Sequence, residues 1–177
     1  AGTTTFTGVV GGTTPLTSLS ATAATITQSS TAKTTGALTY TGSTAINIGG
    51  SITTSGGIAT LAGPVTLSGT PTIDTTNAGG TPAGANISFS STLNGATALT
   101  LRAGTAGIIT FSGAVGGITP LTGLTITSAN LVQIGANITV TGANPISFSS
   151  PVSLTGPSTI TSNNANITFG STLNGAQ

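Results

Sequence analysis

The string FTGVVGGTTPLTSLSATA at residues 6–23 returns as FSGAVGGITPLTGLTITS at residues 111–128, with 11 of 18 positions identical. The match extends upstream, where AGTTT at 1–5 parallels AGIIT at 106–110. Two further blocks recur in the same order: PVTLSG at Pro64 as PVSLTG at Pro151, and ANISFSSTLNGA at Ala85 as ANITFGSTLNGA at Ala165. The offsets are 105, 87 and 80 residues, so order survives while length does not. A closed globular core has no room for copies of unequal length. A solenoid does, because each coil touches only its neighbours. The three offsets lie near five, four and four coils of roughly 20–22 residues, which predicts copies differing by about one whole coil. The chain is therefore read as one β-solenoid segment, residues 1–177, holding two imperfect copies at 1–105 and 106–177. It starts at Ala1-Gly2-Thr3, inside one copy and without Met or a secretory signal. That suggests a processed chain, or a piece of an array able to continue end to end.

The local pattern specifies strands. Thr supplies 41 of 177 residues and Gly 27. Thr, Ile and Val are β-branched and fit a pleated surface. Strings of period two recur, among them ALTYTG at Ala37, AINIGG at Ala45, ALTLRAG at Ala98 and ANITVTG at Ala136. Gly-Gly, Asn-Gly, Gly-Pro and Thr-Pro separate them. Short strands with such turns suit a sandwich, a barrel or a β-helix, and the unequal copies favour the β-helix. Strands of successive coils would stack about 4.8 Å apart, so about eight coils give a rod roughly 40 Å long. Ile, Leu, Val, Phe and Ala would point inward, and Thr, Ser and Asn outward. No charged or helical cap stands at either end, so the terminal strand edges become pairing templates. A head-to-tail contact that does not close makes a fibre.

Charge narrows the function. Only Lys33, Asp74 and Arg102 are ionised, and His, Cys, Met and Trp are absent. An ordinary domain is about a quarter charged. Disorder needs low hydrophobicity with high net charge, whereas mean hydropathy here is +0.42 and net charge +1. No run of about 18 apolar residues predicts a membrane-spanning helix, and five Phe with one Tyr do not make the aromatic girdles of a membrane barrel.

Asp74 is the only carboxylate, while glycoside hydrolysis uses two and calcium sites several oxygen ligands. It is read as a turn or outer-face residue in PTIDTTNAGG. Lys33 and Arg102 are read as solvated, too few for the basic stripe of a nucleic-acid binder. Without His or Cys, tetrahedral zinc has no ligand set, and no placed base activates a Ser or Thr. GVVGG and GAVGG are turns, lacking the Lys of a phosphate loop. The expectation is therefore no enzyme, with no catalytic, cofactor or metal site. Asn86, Asn137 and Asn166 share an ANI[ST] frame and are expected to form an asparagine ladder at a coil corner. Asn94-Gly95 and Asn174-Gly175 are expected to be the turns that close a coil.

The stretches GGTTPLTSLSATAATIT (11–27), ALTYTGSTAINIG (37–49) and ISFSSTLNGATALTLRAGTAGIITFSGAVGGITPL (87–121) resemble repeats of very long bacterial surface proteins, the filamentous-haemagglutinin-like adhesins and related β-strand-repeat exoproteins. The resemblance covers nearly the whole chain. It implies a right-handed parallel β-helix, export to the bacterial cell surface, and a role in adhesion, biofilm or filament formation. On that basis the segment reads as shaft. Its partners would be itself, head to tail, and host or biofilm surface glycans. The alternative is a Thr-rich solenoid face binding ice or carbohydrate, suggested by Thr3-Thr4-Thr5, Thr25-Ile26-Thr27 and Thr125-Ile126-Thr127.

Overall fold

The computed structural model describes residues 2–175. Among them are 20 strands and no helix, and every strand pair is parallel. The chain visits three faces in strict rotation and does so eight times, giving a β-solenoid of eight coils. Thr3–Phe6 begins the first face, Val10 the second and Leu19 the third. The strands Leu19–Gln28 and Leu38–Ile48 each bend through a corner and so belong to two faces. That continuity joins the third face and the start of the first into one 11-stranded sheet, while the second face is a separate 7-stranded sheet.

Registers show why alternation was visible in the sequence. On the third face Leu19, Leu38, Ala59 and Ile87 lie one above another, continued by Ile109, Val132, Val152 and Leu173. These residues point inward, and Leu38, Ile87, Ile109 and Val132 are fully buried. Their neighbours Thr39, Thr60, Ser88 and Thr110 point outward. Inward residues of all three faces form one continuous apolar core. Each buried Leu or Ile side chain contributes roughly 1.5–3 kcal/mol of transfer free energy. Parallel aromatic stacks reinforce it: Phe89 on Phe111 with ring centroids 5.4 Å apart, and Phe148 on Phe169 at 5.2 Å.

Polar residues also occupy inward positions. Gln28 is fully buried beneath the first face, where its amide nitrogen donates to the Ser30 and Gly50 carbonyls and its Oε1 accepts from the Tyr40 hydroxyl at 2.8 Å. Burial pushes the Tyr40 phenol above its ordinary pKa. The chain's period gives no warning of this pair, because Gln and Tyr have both apolar and polar parts.

Coil length varies more than 20–22 residues. The step is 19 from Leu19 to Leu38 and 28 from Val65 to Leu93. Extra residues go into corner excursions that leave the rungs undisturbed. The longest is at 75–86, between Thr72–Asp74 and Ile87–Phe89. Two shorter ones are built alike. Val10 and Leu16 face Ala32 and Thr34, so residues 11–15 bulge out opposite Lys33 alone. Val115 and Leu121 face Ile138 and Val140, so 116–120 bulge out opposite Thr139 alone. Gly11 and Gly116 open these bulges at φ 66° and 69°, and a Cβ on either would strike the carbonyl oxygen of Lys33 or Thr139. The repeated GG-x-TPL block thus encodes one bulge, made twice.

The two copies do not sit on the same faces, and this corrects the expectation of whole-coil offsets. Phe6 is on the first face of coil 1, but Phe111 is on the third face of coil 5. Val65 is on the first face of coil 4, and its counterpart Val152 on the third face of coil 7. Ile87 lies on the third face, Ile167 on the second. Each copy falls one strand short of five, four and four coils. The offsets are therefore whole numbers of strands with their corners rather than whole coils. Between 105 and 87 the second copy loses one full coil. Between 87 and 80 it loses only the excess of the 75–86 excursion, since both copies cross the same number of faces there.

Candidate functional site

The three ionised side chains share one column of the second face. Register places Lys33 beside Thr53, Thr53 beside Asp74, and Asp74 beside Arg102. Lys33 is exposed. Asp74 is buried by the excursion that follows it. Its Oδ1 accepts from the Thr76 amide and hydroxyl, each at 2.6 Å, and its Oδ2 from the Ala78 amide at 2.9 Å. Arg102 Nη1 stands 3.8 Å from the same carboxylate. The turn reading of Asp74 holds in this form: the carboxylate organises the chain through Asn77 and Ala78, both at positive φ. Thr75 closes the excursion's base, its Oγ1 donating to the Ala85 carbonyl and accepting from the Ala85 amide. Arg102, read from the sequence as solvated, is half-exposed and paired with Asp74. Among the described residues no pocket opens beside this column, and no three acids or imidazoles gather.

The asparagines of the ANI[ST] frame stand at corners as expected, but they form no ladder. Asn86, Asn137 and Asn166 precede strands on the third, first and second faces respectively. The side chains of Asn86 and Asn137 instead reach up one coil. Asn86 Oδ1 accepts from the Ile108 amide at 2.9 Å, and Asn137 Oδ1 from the Thr159 amide at 2.8 Å. Asn94 likewise ends a strand beside Gly95 and caps the bulge above it, accepting from the Ile118 and Thr119 amides at 2.9 and 3.2 Å. These are inter-coil caps, and Asn94-Gly95 is a corner between two strands of the parallel stack, while Asn174-Gly175 stands at the end of the described residues. The sequence signal was the recurrence of Asn directly before or at the end of a rung; its target was hidden because it lies about one coil downstream.

Two surfaces remain. One is the outside of the third face, where a column of polar side chains runs through all eight coils: Ser20, Thr39, Thr60, Ser88, Thr110, Gln133, Ser153 and Asn174. The other is the pair of terminal edges. Among the described residues no strand pairs below Thr3–Phe6, and none above Ile160–Ser162, Ile167–Phe169 or Leu173–Asn174. The upper edge exposes apolar rungs: Ile167 is 39% accessible and Leu173 47%, against 0% for their counterparts Ile87 and Leu93 inside the stack. No protein-family model, curated protein or solved structure matches the chain.

Proposed function

We propose that this chain is a structural element, a subunit or shaft segment of an extracellular bacterial filament or adhesin that extends by stacking coils end to end. The observation carrying this reading is the state of the edges. Among the described residues, coils 1 and 8 present open backbone edges and apolar rungs with no ionised side chain on their strands. Unpaired edges of this kind recruit further strands, and the same geometry at both ends gives a heterologous contact that need not close. The mechanism is mechanical: inter-coil hydrogen bonds along the axis, an apolar interior and a polar exterior. On this reading the protein catalyses nothing, binds no cofactor or metal, and has itself as principal partner, with host or biofilm glycans as surface ligands. Electron microscopy of the purified chain tests it. Rods longer than one molecule are expected; a concentration-independent monomer overturns it.

The third-face column favours a second reading, a binding module for ice or carbohydrate. Hydroxyls repeat there at the inter-coil spacing of about 4.8 Å. Gln133 and Asn174 interrupt the Ser/Thr series. Thermal hysteresis in solutions of the chain would support this reading over the first.

A further inference from the structure

The structure carries within itself a template for how two copies would join. The last coil repeats the sequence of coils 4 and 5, ANI[ST]F followed by STLNG. The first coil repeats the sequence that lies directly above that block inside the chain, since AGTTTFTGVVGGTTPL at 1–16 matches AGIITFSGAVGGITPL at 106–121. Inside the chain, Ile87 and Phe89 pair with Ile109 and Phe111. Leu93 faces Val115. Asn86 and Asn94 accept from the amides of Ile108, Ile118 and Thr119.

We infer that the upper edge of coil 8 is a docking surface for coil 1 of a second copy, in the register of this internal junction. The inference rests on the filament reading and adds the register to it. Ile167 and Phe169 then pair with Thr4 and Phe6 of the second copy, and Leu173 with its Val10. Asn166 caps the amide of Thr3, and Asn174 those of Thr13 and Thr14. Neither asparagine side chain has a hydrogen-bond partner among the described residues, although their counterparts Asn86 and Asn94 do. The aromatic column would also run on. Phe169 already stacks on Phe148 below it, and Phe6 lies at 5.9 Å from Tyr40.

The register has an unusual consequence. Second-face strands of the lower copy meet first-face strands of the upper one, and third-face strands meet second-face strands. The upper copy is therefore turned by one face. Over the remaining strand, Ile160–Ser162, the internal junction has Ala98–Arg102 lying on Thr72–Asp74. In the two-copy stack that strand keeps an open edge, so the contact closes two faces of three.

Engineered cysteines discriminate, because the chain has none of its own. The outward residues Thr5 and Thr168 become neighbours in the turned register, by analogy with Thr110 and Ser88. Adjacent parallel strands bring Cα atoms within disulfide range. In a stack that keeps faces aligned, Thr5 would instead meet Thr161. The double variant Thr5→Cys/Thr168→Cys is expected to give a ladder of covalent multimers on mild oxidation, and Thr5→Cys/Thr161→Cys to self-associate without covalent multimers, with unchanged far-ultraviolet circular dichroism for both. Cross-linking of the 161 pair but not the 168 pair overturns the turned register and leaves head-to-tail stacking intact. Self-association with neither cross-link also overturns the register. No self-association at all overturns the filament reading with it. As a second measurement, Asn166→Ala/Asn174→Ala should raise the concentration for half-assembly about tenfold or more; an unchanged value removes the capping contacts from the proposal.

Discussion

At the scale of single residues, polar side chains that the alternating pattern conceals decide much of the stability. Tyr40 and Gln28 form a buried hydrogen bond beneath two faces. Tyr40→Phe leaves Gln28 Oε1 without its donor and should cost about 1–3 kcal/mol, read as a lower urea midpoint. Adding Gln28→Leu should recover part of that loss, because the two effects are coupled. The same phenol sets the alkaline limit. Its pKa is raised by burial, so the folded state holds the proton more tightly than the unfolded one. The associated stability is intact below about pH 10, the ordinary phenol value, and is lost as pH rises above it. Thermal scans should show an alkaline decline that Tyr40→Phe abolishes. Asp74 and Arg102 contrast with each other. Asp74→Ala removes three acceptor contacts to Thr76 and Ala78 and should make residues 75–86 the first site of proteolytic nicking. Arg102→Ala loses a half-exposed contact at 3.8 Å and should cost at most about 1 kcal/mol.

At the scale of elements, strands and corners separate cleanly. The strands were legible because each rung alternates, as in Leu38, Tyr40, Ile46 and Ile48 pointing in, with Thr39, Thr41 and Asn47 pointing out. The solenoid itself was legible from copies of unequal length. The face each copy occupies was not, because residue counts mix strand residues with corner residues. Residues 75–86 lengthen one coil without advancing a face, so an offset of 105 or 87, each of which spans them, looks like whole coils when it is one strand short. The asparagine caps were half legible: their positions recur, but their partners lie one coil away. The bulges allow a direct test. Replacing residues 11–15 or 116–120 by a single Thr should restore an unbroken strand opposite Ala32 to Thr34 or Ile138 to Val140. The inner replacement strips Asn94 of two amide donors and the Gly95 amide of the Thr119 carbonyl. It should lower the melting temperature of the isolated chain, whereas the outer one, with no coil beneath it among the described residues, should leave it nearly unchanged.

At the scale of the whole molecule, the scarcity of charge governs how copies meet. A surface with three ionised side chains and net charge +1 has little field for salt to screen. Assembly should therefore be nearly as strong in molar sodium chloride as at low ionic strength, and excluded salts such as sulfate should strengthen it. A steep loss of assembly with sodium chloride would show that charge pairs, not stacked coils, hold the rods together. Geometry makes a sharper demand. Eight coils at the inter-strand spacing advance each molecule about 40 Å along the axis. If the contact follows the internal junction, each molecule is also turned by one of three faces, close to a third of a turn. Faces would realign only every third molecule, an axial distance of about 120 Å. Helical reconstruction of the rods should then return a rise near one molecule length with a rotation close to a third of a turn, and layer lines at the longer repeat. A rotation near zero would mean that the ends meet face to like face, and that the repeated blocks, although they stack in this order inside the chain, do not dictate how one molecule follows another.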